Sequence, residues 1–164
     1  MAKPVKPIPE GYHTLTPYLV VRDAARAIDF YRRAFGATEK ERMPSPDGKI
    51  MHAELRIGDS IFMLSDEFPG ARCQSPQALG GTSGGLFIYV EDVDATFARA
   101  LQAGALVERP VADMFWGDRY GTLIDPFGHL WSLATHKQDL TAEQIRKAGE
   151  AAMAEMAQRT HAAG

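Results

Sequence analysis

Residues able to hold a divalent ion or move a proton are sparse in this sequence. They are His13, His52, Glu54, His129 and His136. His52 and Glu54 stand two apart, so on a strand both side chains reach the same face. That gives two ligands of a type suited to a transition metal. The same pair also reads as exposed or hydrogen-bonded neighbours on a middle strand. His129 follows a turn and opens a strand, with its side chain expected on the convex face. His13 and His136 fall at strand ends. The lone Cys73 excludes an intrachain disulfide and a cysteine-rich zinc site. It sits in the connector, where a reactive thiol is one reading, but no neighbouring base is visible and an unremarkable cysteine is expected. No Ser-His-Asp order is present. Gly80-Gly81 and Gly84-Gly85 follow no expected strand and open no helix, so they read as hinges rather than a phosphate loop. The run Met114-Phe-Trp-Gly-Asp-Arg-Tyr120 is different. Its aromatics suit the rim of a pocket for a flat, partly apolar molecule. Arg119 is expected to receive an anionic group in a bidentate pair, with Asp118 orienting it. A local Asp-Arg salt bridge is the alternative.

The elements that would position these residues follow from patterning. Hydrophobic residues make up 45% and charged residues 24% of 164, which suits one globular core. A net charge of −3 leaves no basic footprint for nucleic acid. No apolar run approaches a membrane span, and the first ten residues lack a signal-peptide core. A cytoplasmic location is expected. Residues 14–21 read as a strand. A helix capped by Asp23 and stopped by Gly36 follows, with Ala27, Ile28, Tyr31, Ala34 and Phe35 on one face. Strands are expected near 38–43, 50–57 and 60–65, the last two joined as a hairpin at Gly58-Asp59. After a connector over 66–83, open to reading as a boundary or a mobile flap, the pattern recurs. It comprises a strand at 85–90, a helix from Asp92 to Gly104, and strands at 105–109, 120–124 and 129–135. Val21-Arg-Asp23 and Val90-Glu-Asp92 lie 69 apart, as do Leu64 and Leu133. Such an offset marks an internal repeat. Thr141-Ala-Glu-Gln144 is a capping box that opens a final helix. The expected class is α+β: two tandem βαβββ modules, about 14–65 and 85–135, with curved mixed sheets enclosing a cleft. Residues 1–137 form one domain and 138–164 a helical tail.

Two stretches carry a family resemblance. They are Pro17-Tyr-Leu-Val-Val-Arg-Asp-Ala-Ala-Arg-Ala-Ile-Asp-Phe-Tyr-Arg-Arg-Ala-Phe-Gly-Ala37 and Trp116-Gly-Asp-Arg-Tyr-Gly-Thr-Leu-Ile-Asp-Pro-Phe-Gly-His-Leu-Trp131. With the repeat, they resemble the vicinal oxygen chelate superfamily (glyoxalase, bleomycin resistance protein, dioxygenase), most closely its PhnB-like branch. In metal-dependent members each module gives one ligand from its first strand and one from its last. The resemblance places Thr16, Met63, Gly85 and Ser132 at those positions. Two hydroxyls, a thioether and a glycine are a poor set for Mg, Mn, Fe or Zn. The expected function is therefore metal-independent small-molecule binding, with no metal, no cofactor and no catalytic residue assigned. The ligand is expected to be flat, partly apolar and able to carry negative charge. Its site is read as Thr16, Tyr18, Met63, Phe87, Tyr89, Trp116, Arg119 and Ser132. Resemblance also implies a homodimer that completes the cleft. The alternative is a metal-dependent lyase, isomerase or dioxygenase built around His52 and Glu54. A third is a scaffold with a collapsed pocket.

Overall fold

The structure is a computed structural model. It describes the backbone of residues 5–162 and the side chains of residues 5–158. The first module runs β1 (Tyr18–Val21), α1 (Ala24–Phe35), β2 (Thr38–Pro44), β3 (Ile50–Ile57) and β4 (Ser60–Asp66). A short helix α2 (Pro76–Leu79) lies in the connector. The second module runs β5 (Gly85–Tyr89), α3 (Val93–Ala103), β6 (Leu106–Asp113), β7 (Asp118–Ile124) and β8 (Leu130–His136). Helix α4 (Ala142–Ala162) follows. The sheets have matching orders, β1-β4-β3-β2 and β5-β8-β7-β6, each with one parallel pair at the β1 or β5 end. This is the expected α+β class with two βαβββ modules and a C-terminal helix.

The repeat holds in register as well as in sequence. Tyr18 lies opposite Met63, and Phe87, 69 residues later, opposite Ser132. The helix caps behave as expected. Asp23 accepts from the Arg26 N–H and Asp92 from the Ala95 N–H, which fills otherwise orphaned helix donors. Gly36, at φ 67°, ends α1 with the paired bonds of a left-handed cap. A second fastening repeats too. Asp66 accepts from Ala24 N at 2.9 Å, and Thr135 Oγ1, in the equivalent place, accepts from Val93 N at 2.9 Å. Asp66 also takes Ile50 N at 2.7 Å, so one carboxylate ties α1 to β3.

Alternation divides each sheet into two faces. Leu19, Val21, Leu55, Phe62 and Leu64 from the first sheet are buried with Leu123, Trp131 and Leu133 from the second. They share one core with both helices. Phe62 meets Trp131 at 6.0 Å between ring centroids, and Tyr31 of α1 touches both. At the centre, the Asp125 carboxylate accepts from Tyr31 Oη at 2.8 Å, Trp131 Nε1 at 2.9 Å, and the amides of Phe127 and His129 at 2.9 Å each. Burial and this carboxylate push the Tyr31 phenol well above its ordinary range. The opposite faces, bearing Tyr18 and Met63 or Phe87, Tyr89 and Ser132, turn away from this core. A cleft of about 870 Å³ also lies between the modules, bordered by the β3–β4 hairpin and β5.

Some element expectations are corrected. The first strand starts at Tyr18 rather than residue 14, because Pro17 has no N–H for a ladder. β6 runs on through Pro110 to Asp113. It is an edge strand with register shifts between Val107 and Ala112, where a proline costs no ladder bond. The connector lines neither cavity. α2 is capped by Ser75 and packs on the turn at Gly128, and Gln77 Nε2 donates to Pro126 O at 3.2 Å. Among the described residues, no helix is long and apolar enough to cross a membrane.

Candidate functional site

The expected site residues divide between two surfaces. On the open face of the first sheet, Tyr18 and Met63 are register partners. Beside them lies a polar group. His52 Nε2 is 3.4 Å from Glu54 Oε1, and Tyr18 Oη is 3.5 Å from His52 Nδ1. The Tyr12 hydroxyl also donates to Glu54, and Lys40 Nζ lies 3.8 Å away. The Tyr12 bond, then His52 and Lys40, hold Glu54 below the usual carboxylate range. Conversely, Glu54 pushes the Tyr12 phenol up to about 12. The expected sharing of a face by His52 and Glu54 is met, but their bonds are spent on one another and on tyrosines.

The second sheet carries the more complete site. Phe87 and Tyr89 project from β5 and pack at 5.1 Å. Tyr120 of β7 stacks on Phe87 at 5.7 Å and 21°, and Trp116 meets Tyr120 edge-on at 5.6 Å. With Arg109, Thr122 and Leu130 they border a cavity of about 500 Å³. Its polar anchor is Asp118. This carboxylate, 4% exposed, accepts from Tyr89 Oη at 3.2 Å, Trp116 Nε1 at 3.1 Å and His136 Nδ1 at 2.7 Å. His136 Nε2 also reaches Asp139 at 3.0 Å. The two carboxylates, Asp118 first, raise the His136 pKa above its ordinary value. Tyr89 is raised as well, by burial first and then by Asp118. Ser132 shares a 3.1 Å hydrogen bond with the Tyr120 hydroxyl. The turn before β7 is shaped by Gly117 at φ 98°, where a Cβ would come within 2.5 Å of Gln138 O.

Three of the eight expected residues (Phe87, Tyr89 and Trp116) border this cavity, and Ser132 touches it only through its hydrogen bond to Tyr120. Tyr18 and Met63 face the other sheet's exterior. Thr16 is corrected: it precedes β1 and turns its hydroxyl back to His13 O at 3.1 Å. Arg119 is also corrected. On β7 it alternates to the side opposite Asp118 and Tyr120. There its guanidinium is engaged by Asp94 at 2.6 and 2.7 Å and by Asp113 at 3.2 Å, which raises its pKa. Asp118 orients Trp116 and Tyr89 instead. Sequence reasoning placed Tyr120 in the aromatic rim but not among the site residues, and it left out Thr122 and Arg109; alternation from Asp118 along one strand would have found Tyr120 and Thr122. His129 serves the architecture, because its ring Nε2 donates to Val20 O at 3.1 Å across the modules.

A metal does not fit the four positions that the family resemblance assigns. The Thr16 and Ser132 hydroxyls already hold protein partners. Met63 offers a thioether. A side chain at Gly85 would press on Leu130 O at 3.0 Å. Among the described residues, no group of three or more His, Cys, Asp or Glu could hold an ion, and His52 with Glu54 lacks a third ligand.

Comparison with known proteins agrees with the fold. The family model described as Glyoxalase/Bleomycin resistance protein/Dioxygenase superfamily matches residues 12–133. A protein of Mycobacterium tuberculosis strain H37Rv is 50% identical over 137 residues, spanning 82% of this chain and 81% of its own length. A protein of Arabidopsis thaliana is 32% identical over 127 residues, spanning 71% of this chain and 74% of the relative. Among solved structures, TioX from Micromonospora sp. ML1 superposes with a TM-score of 0.62 at 33% identity. That match covers 76% of this chain and 98% of TioX. A PhnB protein from Bacillus cereus shares the fold at 19% identity and a TM-score of 0.61, covering 75% and 99%.

Proposed function

The chain belongs to the glyoxalase/bleomycin resistance protein/dioxygenase superfamily, and from that premise we propose that it is a metal-independent binding protein for a flat, partly apolar small molecule. One observation carries this reading. Four aromatic rings on the second sheet surround a cavity of ligand size, and two of them are fixed by the buried Asp118. A preset aromatic wall binds by stacking without ordering its side chains first, which lowers the entropic cost of association. The chemistry at Thr16, Met63, Gly85 and Ser132 supports binding rather than Lewis-acid catalysis. We read residues 1–137 as the binding domain, 138–164 as an appended helical tail, and the protein as a cytoplasmic member of the PhnB-like branch. The two stretches 17–37 and 116–131 support that branch.

The binding unit is a homodimer in this reading. Each chain exposes one polar and one aromatic sheet face, and among the described residues β1 and β5 each leave one edge without a strand partner. A twofold axis can set the polar face of one copy over the aromatic face of the other and close both sites at once.

Two measurements test the binding reading. Protein purified without chelators should carry far less than one equivalent of Zn, Ni, Mn or Fe. A stoichiometric metal would overturn the metal-independent assignment in favour of a site near His52 and Glu54. Naphthalene-sized aromatics such as 2-naphthamide should raise the melting temperature, and Trp116→Ala should abolish the rise. An unchanged rise in that variant would remove the aromatic cavity as the site.

A further inference from the structure

We infer that the aromatic cavity of the second sheet selects planar aromatic acids, and that Arg109 is the residue that receives the carboxylate. This rests on reading that face as a ligand site. It adds a ligand class and assigns the anion contact to a residue other than Arg119.

Three charged residues border the cavity: Glu108, Arg109 and Asp118. Asp118 is consumed. It is buried, it holds Tyr89 and Trp116, and its other oxygen is bonded to the His136 imidazole. A cationic ligand would have to displace those donors to reach it, at the cost of leaving them unsatisfied. Arg109 is free by contrast. Among the described residues it forms no ion pair or side-chain hydrogen bond. It lies opposite Thr122, which places it on the same face as Tyr120. Glu108 is the extra residue where the register shifts between Val107 and Arg109, so it has no place in the alternation that aims Arg109 at the rings. A guanidinium beside stacked rings can grip a carboxylate with two parallel hydrogen bonds and lie flat on an aromatic system. With Phe87 and Tyr120 stacked at one wall and Trp116 edge-on at another, the space suits a fused or substituted ring whose acid group points to β6. Neither the fold nor the aromatic wall alone would prefer an acid. The sign of the preference comes from Arg109.

The experiment uses three probes of equal size on the full chain: 2-naphthoate, 2-naphthamide and 2-naphthylmethylammonium. Affinities are read by calorimetry at low salt. Naphthoate should bind about tenfold more tightly than the amide, with the ammonium weakest, and the gap should shrink as salt rises. Arg109→Gln should equalise acid and amide while amide binding persists, which also shows that the variant is folded. Equal binding of acid and amide to the wild type would overturn the inference while leaving an aromatic site standing. Tighter binding of the ammonium would do the same and hand the charged contact to Glu108. Binding of none of the three would remove the underlying reading of the face as a ligand site, and this inference with it.

Discussion

Asp118 holds three donors on one carboxylate, and two of them belong to the cavity wall. Replacing it with Asn keeps the shape but removes the charge, and the amide nitrogen must stand either where Tyr89 and Trp116 donate or where His136 does, so part of the anchor is lost. Asp118→Asn should weaken 2-naphthamide about tenfold and shift Trp116 emission, with the helical far-UV signal intact. His136 adds a pH dependence whose sign follows from its raised pKa. The stabilisation is complete below the unfolded value of about 6.5 and fades as pH climbs through the higher folded value. The gap in melting temperature between wild type and His136→Ala should therefore be widest near pH 6 and narrow toward pH 9. A gap that widens with pH would show that the histidine acts as a neutral partner. At this scale the sequence was readable wherever strand alternation could be counted from a fixed landmark, as for Phe87, Tyr89 and Ser132. It misled at Arg119 because neighbours in sequence are taken for neighbours in space, yet adjacent residues on a strand point apart. Thr16 failed for a related reason, since the landmark strand began two residues later.

At the scale of elements, the caps were legible because each is a local device. Asp23, Asp92, Gly36 and Gly104 all stand where composition placed them, and Thr141 and Gln144 exchange the two bonds of a capping box at 2.8 and 3.2 Å. The fastening of Asp66 and Thr135 to the helix starts went unseen, since it joins residues 42 apart in the chain. The docking of α4 was equally hidden. Gly149 is buried on that helix, and a side chain there would come within 3.1 Å of the Phe115 ring. Phe115 in turn packs edge-on against Trp116 at 5.0 Å. The last helix thus presses on the cavity wall through one ring. Gly149→Leu should push Phe115 aside and lower 2-naphthamide affinity several-fold, whereas Ala151→Leu, on the exposed side of α4, should leave it unchanged. Equal effects from both substitutions would mean that α4 does not support the wall.

For the whole molecule, the two-module architecture was visible in sequence because a 69-residue offset survives in the N-caps and in the register of the first and last strands of each module. What the two halves do with their outer faces was not, since that depends on which faces find a common core. The proposed pairing predicts a particle of twice the 18.0 kDa chain mass in light scattering at micromolar concentration. A monomer there would leave each cavity open on one side and count against closure by a second copy. Inside one chain the arrangement has a different consequence. Tyr31 comes from the first module, Trp131 and Asp125 from the second, and the three are joined by hydrogen bonds at the centre of a single core. A gene that arose by duplication would ordinarily keep two exchangeable copies, each free to drift or be traded with a relative. Here that freedom is narrowed. A crossover in the connector that brought in a second half without Asp125 would strand the buried Tyr31 hydroxyl of the first, so a workable exchange must carry a partner for it.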